Sequence, residues 1–170
     1  MALPTLLKQF NLFDDGNSLM GVAEEIDLPK LARKFDEYQG AGMPVPVDID
    51  MGGEKIEFDW TCHGMVFDVI KQYGTAKVGG VQLRFAGAYQ REDTGDVQAV
   101  EVVVRGRHKE IDFGKAKIGD KTQTKVKTTC AYYKLTVDGQ VMVEIDALAM
   151  IFTVNGVDML EKQRKAVGLA

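Results

Sequence analysis

The sequence is poor in soft metal ligands. Its only cysteines are Cys62 and Cys130 and its only histidines His63 and His108, too few for a closed structural zinc site with the usual ligand spacing. Long apolar runs are missing too. The longest candidate, Ala147 to Val154, falls far short of the roughly 20 residues a membrane span needs. Met1 to Phe10 lacks the basic start and apolar core of a signal peptide. The expectation is a chain with no membrane anchor that stays in the cytoplasm where it is made. Gly52-Gly53 and Gly79-Gly80 reproduce no phosphate-binding loop, since both lack the fixed glycine spacing and the strand–turn–helix setting. No cofactor is expected.

What is present fits a folded, water-soluble chain. The 170 residues are 45% hydrophobic and 27% charged, enough apolar surface for a core, and the length fits one domain over 1–170. The net charge of -4 hides an asymmetry. Residues 1–60 carry 12 acidic and 5 basic side chains, whereas 105–127 carry 8 basic and 3 acidic. Opposed fields of this kind can steer neighbouring copies of one protein together, although a solvated surface gives the same counts.

Turn chemistry and alternation point to antiparallel sheet. Asp15-Gly16, Asp138-Gly139 and Asn155-Gly156 are hairpin dipeptides, because these residues most easily take the positive φ of a tight reversal. The first should join Asn11–Phe13 to Ser18–Ile26, until Pro29 breaks the ladder. A mixed strand follows over Leu31–Tyr38. Ile56, Phe58 and Trp60 then alternate with Lys55, Glu57 and Asp59, the pattern of a strand with one buried face. Gly64–Tyr73 switches to helical spacing with Gly74 as its cap. Long strands are expected over Val81–Tyr89, Val97–Lys109, Thr122–Val137 and Val141–Val154, with Val157–Val167 as a closing helix. About eight strands result. The predicted class is mainly β, an antiparallel β-sandwich or partly closed barrel with one packed helix and a short C-terminal helix.

One segment departs from this pattern. Gln39 to Gly53 combines four glycines with Met43, Pro44, Val45, Pro46, Val47, Ile49 and Met51, and reads as a long apolar loop. Loops of this length are usually functional or disordered, and disorder favours compositions poorer in Met, Val and Ile. Either it folds back over its own core or it packs on a neighbouring subunit.

Catalytic candidates are weak. Cys62 and His63 are adjacent on a strand and point to opposite faces, so they cannot pair as thiolate and imidazole. His108 lies among Arg105, Arg107 and Lys109 and reads as part of a charged strand end. Lys121, Lys125 and Lys127 share a parity with Gln123 and Thr129, as an exposed sheet face would. Without interleaved aromatics they make a poor nucleic-acid site. No active site emerges.

The order and spacing of several short segments resemble a family. They run from Asn11-Leu12-Phe13-Asp14-Asp15-Gly16 through Leu28-Pro29-Lys30-Leu31, Glu37-Tyr38-Gln39-Gly40-Ala41-Gly42-Met43 and Pro46-Val47-Asp48-Ile49-Asp50-Met51-Gly52. They continue with Tyr132-Tyr133-Lys134-Leu135-Thr136-Val137-Asp138-Gly139, Glu144-Ile145-Asp146 and Val154-Asn155-Gly156-Val157-Asp158. Together they resemble the major tail tube proteins of contractile-tailed bacteriophages, a family shared with R-type pyocin inner tubes. The resemblance implies a structural subunit without catalysis that forms hexameric rings stacked into a hollow conduit for the genome. Implied partners are further copies of the chain, the tail sheath protein, baseplate and tail terminator proteins, and a tape measure protein in the lumen. DNA would pass without specific binding. The expected setting is the virion tail, with the host cytoplasm during assembly. The apolar residues of the 39–53 segment become subunit-interface candidates, and Asp36, Glu37, Glu57 and Asp59 candidates for a negative bore wall, since a lysine-lined bore would hold DNA phosphates. Two alternatives stay open: the inner tube of a pyocin or type VI secretion-like particle, and a monomeric β-sandwich ligand-binding domain marked by a deep apolar pocket.

Overall fold

In the computed structural model, which describes residues 1–169, the core is built by strands that alternate strictly. On β6 (Ile56–His63), Ile56, Phe58, Trp60 and Cys62 are buried while Glu57, Asp59, Thr61 and His63 face outward. The same inward set comes from β1 (Thr5–Asp14) through Leu12, and from β7 (Val81–Arg91) through Val81, Leu83 and Phe85. β8 (Val97–Asp112) adds Val102 and Val104, and β9 (Gln123–Val137) adds Val126 and Tyr133. All of them join one apolar cluster, with Phe10 stacked on Phe85 at 5.9 Å between ring centres. A period of two leaves each of these strands one dry face, and the dry faces can only meet by curling the sheet.

The curled sheet runs β3–β6–β9–β8–β7–β1–β2, all antiparallel, with β2 at Asn17–Ser18 and β3 at Ala23–Asp27. It is a partly closed barrel whose free edges are linked by the 19–22 turn. The helix α1 (Phe67–Ile70) plugs one end with buried Val69, and Gly74 follows it at φ +86°. A second wing leaves β9: β10 (Gln140–Asp146), β11 (Ile151–Val154), β12 (Val157–Asp158) and the helix α2 (Glu161–Ala166). Arg164 fastens α2 by an ion pair to Asp158 and a 3.0 Å hydrogen bond donated to the Met150 carbonyl.

Ala131 is where the sheet forks. The free edge of β9 pairs with β6 up to Cys130 and with β10 from Tyr132 onward. The register against β8 slips at the same point, between Arg105 and Gly106. The slip is a bulge, and an extra residue exchanges the two faces of the strand. Even-numbered Thr124, Val126 and Thr128 are buried before it, and odd-numbered Tyr133 after it. Gly106 lies opposite the bulge, where a β-carbon would stand 1.9 Å from the Thr129 carbonyl oxygen.

All three hairpin dipeptides do reverse the chain, with φ of 47–50° at Asp15, Asp138 and Asn155 and 78–83° at the glycines that follow. Other expectations are corrected. Ser18–Ile26 does not run back along β1. The Leu19 N–H bonds to the Leu12 carbonyl at 2.8 Å, Leu19 is buried, and Gly21 at φ +87° redirects the chain so that β3 pairs with β6. Val157–Val167 is not one helix, because the Asn155-Gly156 turn first returns Val157-Asp158 to β11 as a strand. The strands number twelve among the described residues, not about eight.

The 39–53 segment is also not one loop. Val47–Gly53 is β5, paired with β4 (Arg33–Tyr38) in a separate two-stranded sheet. Val47, Ile49 and Met51 alternate with Asp48 and Asp50, a strand pattern; only the 39–46 turn holds Pro44 and Pro46, which could not sit in a central ladder.

Candidate assembly interface

The β4–β5 hairpin is an arm that contributes nothing to the core. All of β4 is exposed, and so is β5 apart from half-buried Gly52. Paired residues of an antiparallel ladder share a face. The register Phe35↔Asp50, Asp36↔Ile49, Glu37↔Asp48 and Tyr38↔Val47 therefore separates two surfaces. One carries Tyr38, Val47, Ile49 and, two residues on, Met51, with Asp36 opposite Ile49. The other carries Glu37, Asp48 and Asp50 beside Phe35. Tyr38, Val47, Ile49 and Met51 are between 44% and 58% exposed, an apolar stripe that this chain leaves uncovered.

The tip closes on itself. The Gly40 N–H points to the Met43 sulfur at 3.1 Å, the Gln39 side-chain amide donates to the Met43 carbonyl at 3.1 Å, and Gly42 takes φ +85°. Pro44, Val45 and Pro46 are exposed, so the segment does not fold back over its own core. At the base, Arg33 donates to Asp50 at 2.5 Å and lies over the Phe152 ring at 5.2 Å from its centre. The Arg33 guanidinium, helped by the Gly52 N–H, holds the Asp50 carboxyl below its usual range.

The bore-wall candidates do not come together. Asp36 and Glu37 lie on opposite faces of the arm, whereas Glu57 and Asp59 share the outer face of β6. There Glu57 meets Lys55 at 2.9 Å and Lys109 at 3.4 Å, and Lys55 chiefly lowers its pKa. Asp59 stands opposite Lys127 across the ladder. Its pKa is raised, first by desolvation and then by Glu57. The outer faces of β6, β8 and β9 are thus a mixed lattice in which Lys125 and Lys127 are exposed.

His108 corrects its sequence reading. It is buried and not part of a charged strand end: its Nδ1 lies 2.9 Å from the Thr128 hydroxyl and its Nε2 2.9 Å from the Gln72 side-chain oxygen. The Gln72 amide in turn donates to Asp14 at 2.9 Å and Asp15 at 3.0 Å. This relay ties the segment after α1 to β8, β9 and the first hairpin. Burial pushes the His108 pKa down to about 4 and raises that of Asp14. The signal was in the strand parity, since His108 falls in step with Val102, Val104 and Gly106; its charged neighbours masked it. Cys62 is buried with its thiol pKa raised by desolvation, and His63 lies outward beside Glu24 at 3.5 Å.

An open apolar groove of about 960 Å³ lies at the fork. It is lined by Ile56, Ala131, Val143 and Ile145 of the barrel and wing strands, by Phe152 and Leu160, and by the arm base at Arg33 and Gly53. Among the described residues no three His, Cys, Asp or Glu side chains cluster to hold a metal, and no helix is long and apolar enough to cross a membrane.

Comparison with known proteins gives the chain a family. The sequence model of the phage tail tube protein FII family matches residues 4–168. The tail tube protein of Escherichia phage P2 is 48% identical over 172 aligned positions, covering 99% of this chain and all of that one. The major tail tube protein of Serratia phage KSP20 is 37% identical and covers 92% of this chain and 91% of its own. Among solved structures, a chain of the sheath/tube terminator of an extracellular contractile injection system superposes with a TM-score of 0.60 at 9% identity, over 78% of this chain and 96% of that one. At that identity the likeness concerns the fold. With its full-length family match and its partly closed antiparallel barrel, the chain belongs to the phage tail tube protein FII family.

Proposed function

We propose that this chain, as a tail tube subunit, closes into hexameric rings that stack into a hollow conduit, and that the β4–β5 arm makes the contact that holds copies together. The observation that carries the reading is the arm's uncovered apolar stripe of Tyr38, Val47, Ile49 and Met51 on a hairpin the barrel does not need. Exposed apolar surface gathered on one face marks an interaction site. Met43, Pro44, Val45 and Pro46 at its tip extend the same surface. In the free subunit the arm is held by its Arg33 base; the neighbouring copy supplies its packing, an ordering step made at assembly. Opposed charges on 1–60 and 105–127 suit head-to-tail contacts, which repeat without limit.

The rest follows from that architecture. A sheath protein surrounds the tube, baseplate and terminator proteins close its ends, and a tape measure protein fills the lumen before DNA passes through without specific binding. Subunits gather in the host cytoplasm and end in the virion tail. The chain performs no catalysis. Glu57 and Asp59 share one outer face and could both line the bore, where they offset Lys55, Lys109 and Lys127 around them; Asp36 and Glu37 cannot both face it from one strand.

Negative-stain electron microscopy of the concentrated protein with sedimentation velocity tests the reading. Rings or hollow tubes of uniform width are expected from the intact chain, and a folded monomer from a chain lacking Met43–Val47. A deletion that polymerises normally removes the arm from the contact. Glu57→Lys with Asp59→Lys should assemble and slow genome ejection, and unchanged ejection takes both residues off the wall.

A further inference from the structure

The groove at the fork and the β8–β9 loop are complementary, and they lie too far apart to meet within one chain. The loop, Phe113–Thr122, presents Ile118 fully exposed among Lys115, Lys117 and Lys121. Among the described residues, of these lysines only Lys117 has an ion-pair partner, Asp120 at 4.0 Å across exposed surface. The groove has the opposite character. Its lining is largely apolar, and two acids stand in it without a cation partner among the described residues: Glu54, and Asp146, whose Oδ1 accepts from the Leu148 and Ala149 N–H groups. The groove's own cations are already committed, Arg33 to Asp50 and Lys55 to Glu57.

Distance excludes the chain's own loop. From Gln123, where the loop joins β9, to Ala131 at the fork there are eight residue steps of strand, or about 26 Å at ~3.3 Å each. A ten-residue loop doubling back reaches about 17 Å, half its extended length.

We infer that the fork groove receives the β8–β9 loop of a second copy, with Ile118 entering the apolar lining and the loop lysines meeting Glu54 and Asp146. This rests on the tube reading and specifies one of its contacts. A loop at one end of the barrel seated in a groove midway along its neighbour is a heterologous contact, and such contacts propagate. Charge steers the approach, and the buried apolar tip supplies the specificity.

Two chains test it in a Cys130→Ala background, one carrying Ile118→Cys and the other Ala147→Cys on the groove wall. They are mixed, assembled and treated with a short bismaleimide. The expected product is a cross-linked pair containing one chain of each kind, formed in assembled material and absent when either chain is treated alone. Separately, Lys117→Glu should raise the concentration needed for assembly by about tenfold or more, because it sets like charges against each other at the contact. Adding Glu54→Lys to that chain should reverse the change. The inference is overturned if chains carrying Lys117→Glu and Ile118→Ser assemble like the native chain. It is also overturned if Ala147→Cys cross-links to Val47→Cys on the arm instead of Ile118→Cys, which would give the groove to the neighbour's arm. If the native chain forms neither rings nor tubes, the tube reading fails and this contact with it. Tubes that form regardless of the loop substitutions leave that reading intact and remove only the loop contact.

Discussion

The barrel and the arm are built from the same alternation and reach opposite outcomes. On β6 the apolar parity of Ile56, Phe58, Trp60 and Cys62 is buried against four other strands. On β5 the apolar parity of Val47, Ile49 and Met51 meets only the partner strand β4 and stays 44–58% exposed. A two-stranded hairpin is marginal alone in water. The contrast teaches that one alternation builds a core where several strands meet it and leaves an exposed apolar face where only one does; the proposed interface is the use made of that face.

The comparison breaks most visibly if the barrel is emptied. Phe58→Ala removes a fully buried ring and should cost about 4 kcal/mol, read as a lower urea midpoint of the monomer. An unchanged midpoint would show that the core does not hold the barrel. Acid should act on the barrel next. His108 binds its proton near pH 4 in the fold against 6.5 when free, so the unfolded chain takes up more protons in that window. Stability from this group is complete above about pH 6.5 and falls as pH drops toward 4, by about 3 kcal/mol. Asp14, with its raised pKa, works in the opposite sense at the acid end. A His108→Gln variant should lose the slope between pH 6.5 and 4, and a slope identical to the native one would place the titration elsewhere.

Smaller effects sharpen the other half of the comparison. Arg33→Ala removes the ion pair and the ring contact at the arm base and should cost the barrel less than about 1 kcal/mol, while speeding amide exchange in 33–53. A thermal midpoint that falls as far as that of Phe58→Ala would make the arm part of the core. Smallest in the monomer is Ile49→Ser, expected to stay within about 0.5 kcal/mol, as surface changes do. The same variant should polymerise poorly in sedimentation runs, and normal polymerisation would leave the stripe without a role.

Most of the barrel was legible because its strands carry strict alternation, while Asp-Gly and Asn-Gly marked its first hairpin and the two reversals of the wing. The misreadings have particular causes. Proline and glycine on either side of 47–51 mask a period of two that is present there. Local turn chemistry pairs Ser18–Ile26 with β1 and says nothing of Leu19 being buried, which diverts the chain to β6. His108 was hidden by Arg107 and Lys109, although its parity matched Val104. The fork at Ala131 had no sequence signature, since a bulge is a relation between strands and is invisible in either one alone. Of the candidate site, the apolar composition of the arm was plain, but its two faces depend on the β4–β5 register and could not be read from one strand.

Hydrogen exchange measured on the free subunit and on assembled tubes tests the central claim most directly, because it reads both regions at once. The amides of β6–β9 should be protected in both states, while those of 33–53 exchange rapidly in the free subunit and become protected in tubes. Equal protection of 33–53 in the two states would contradict an arm completed by its neighbour.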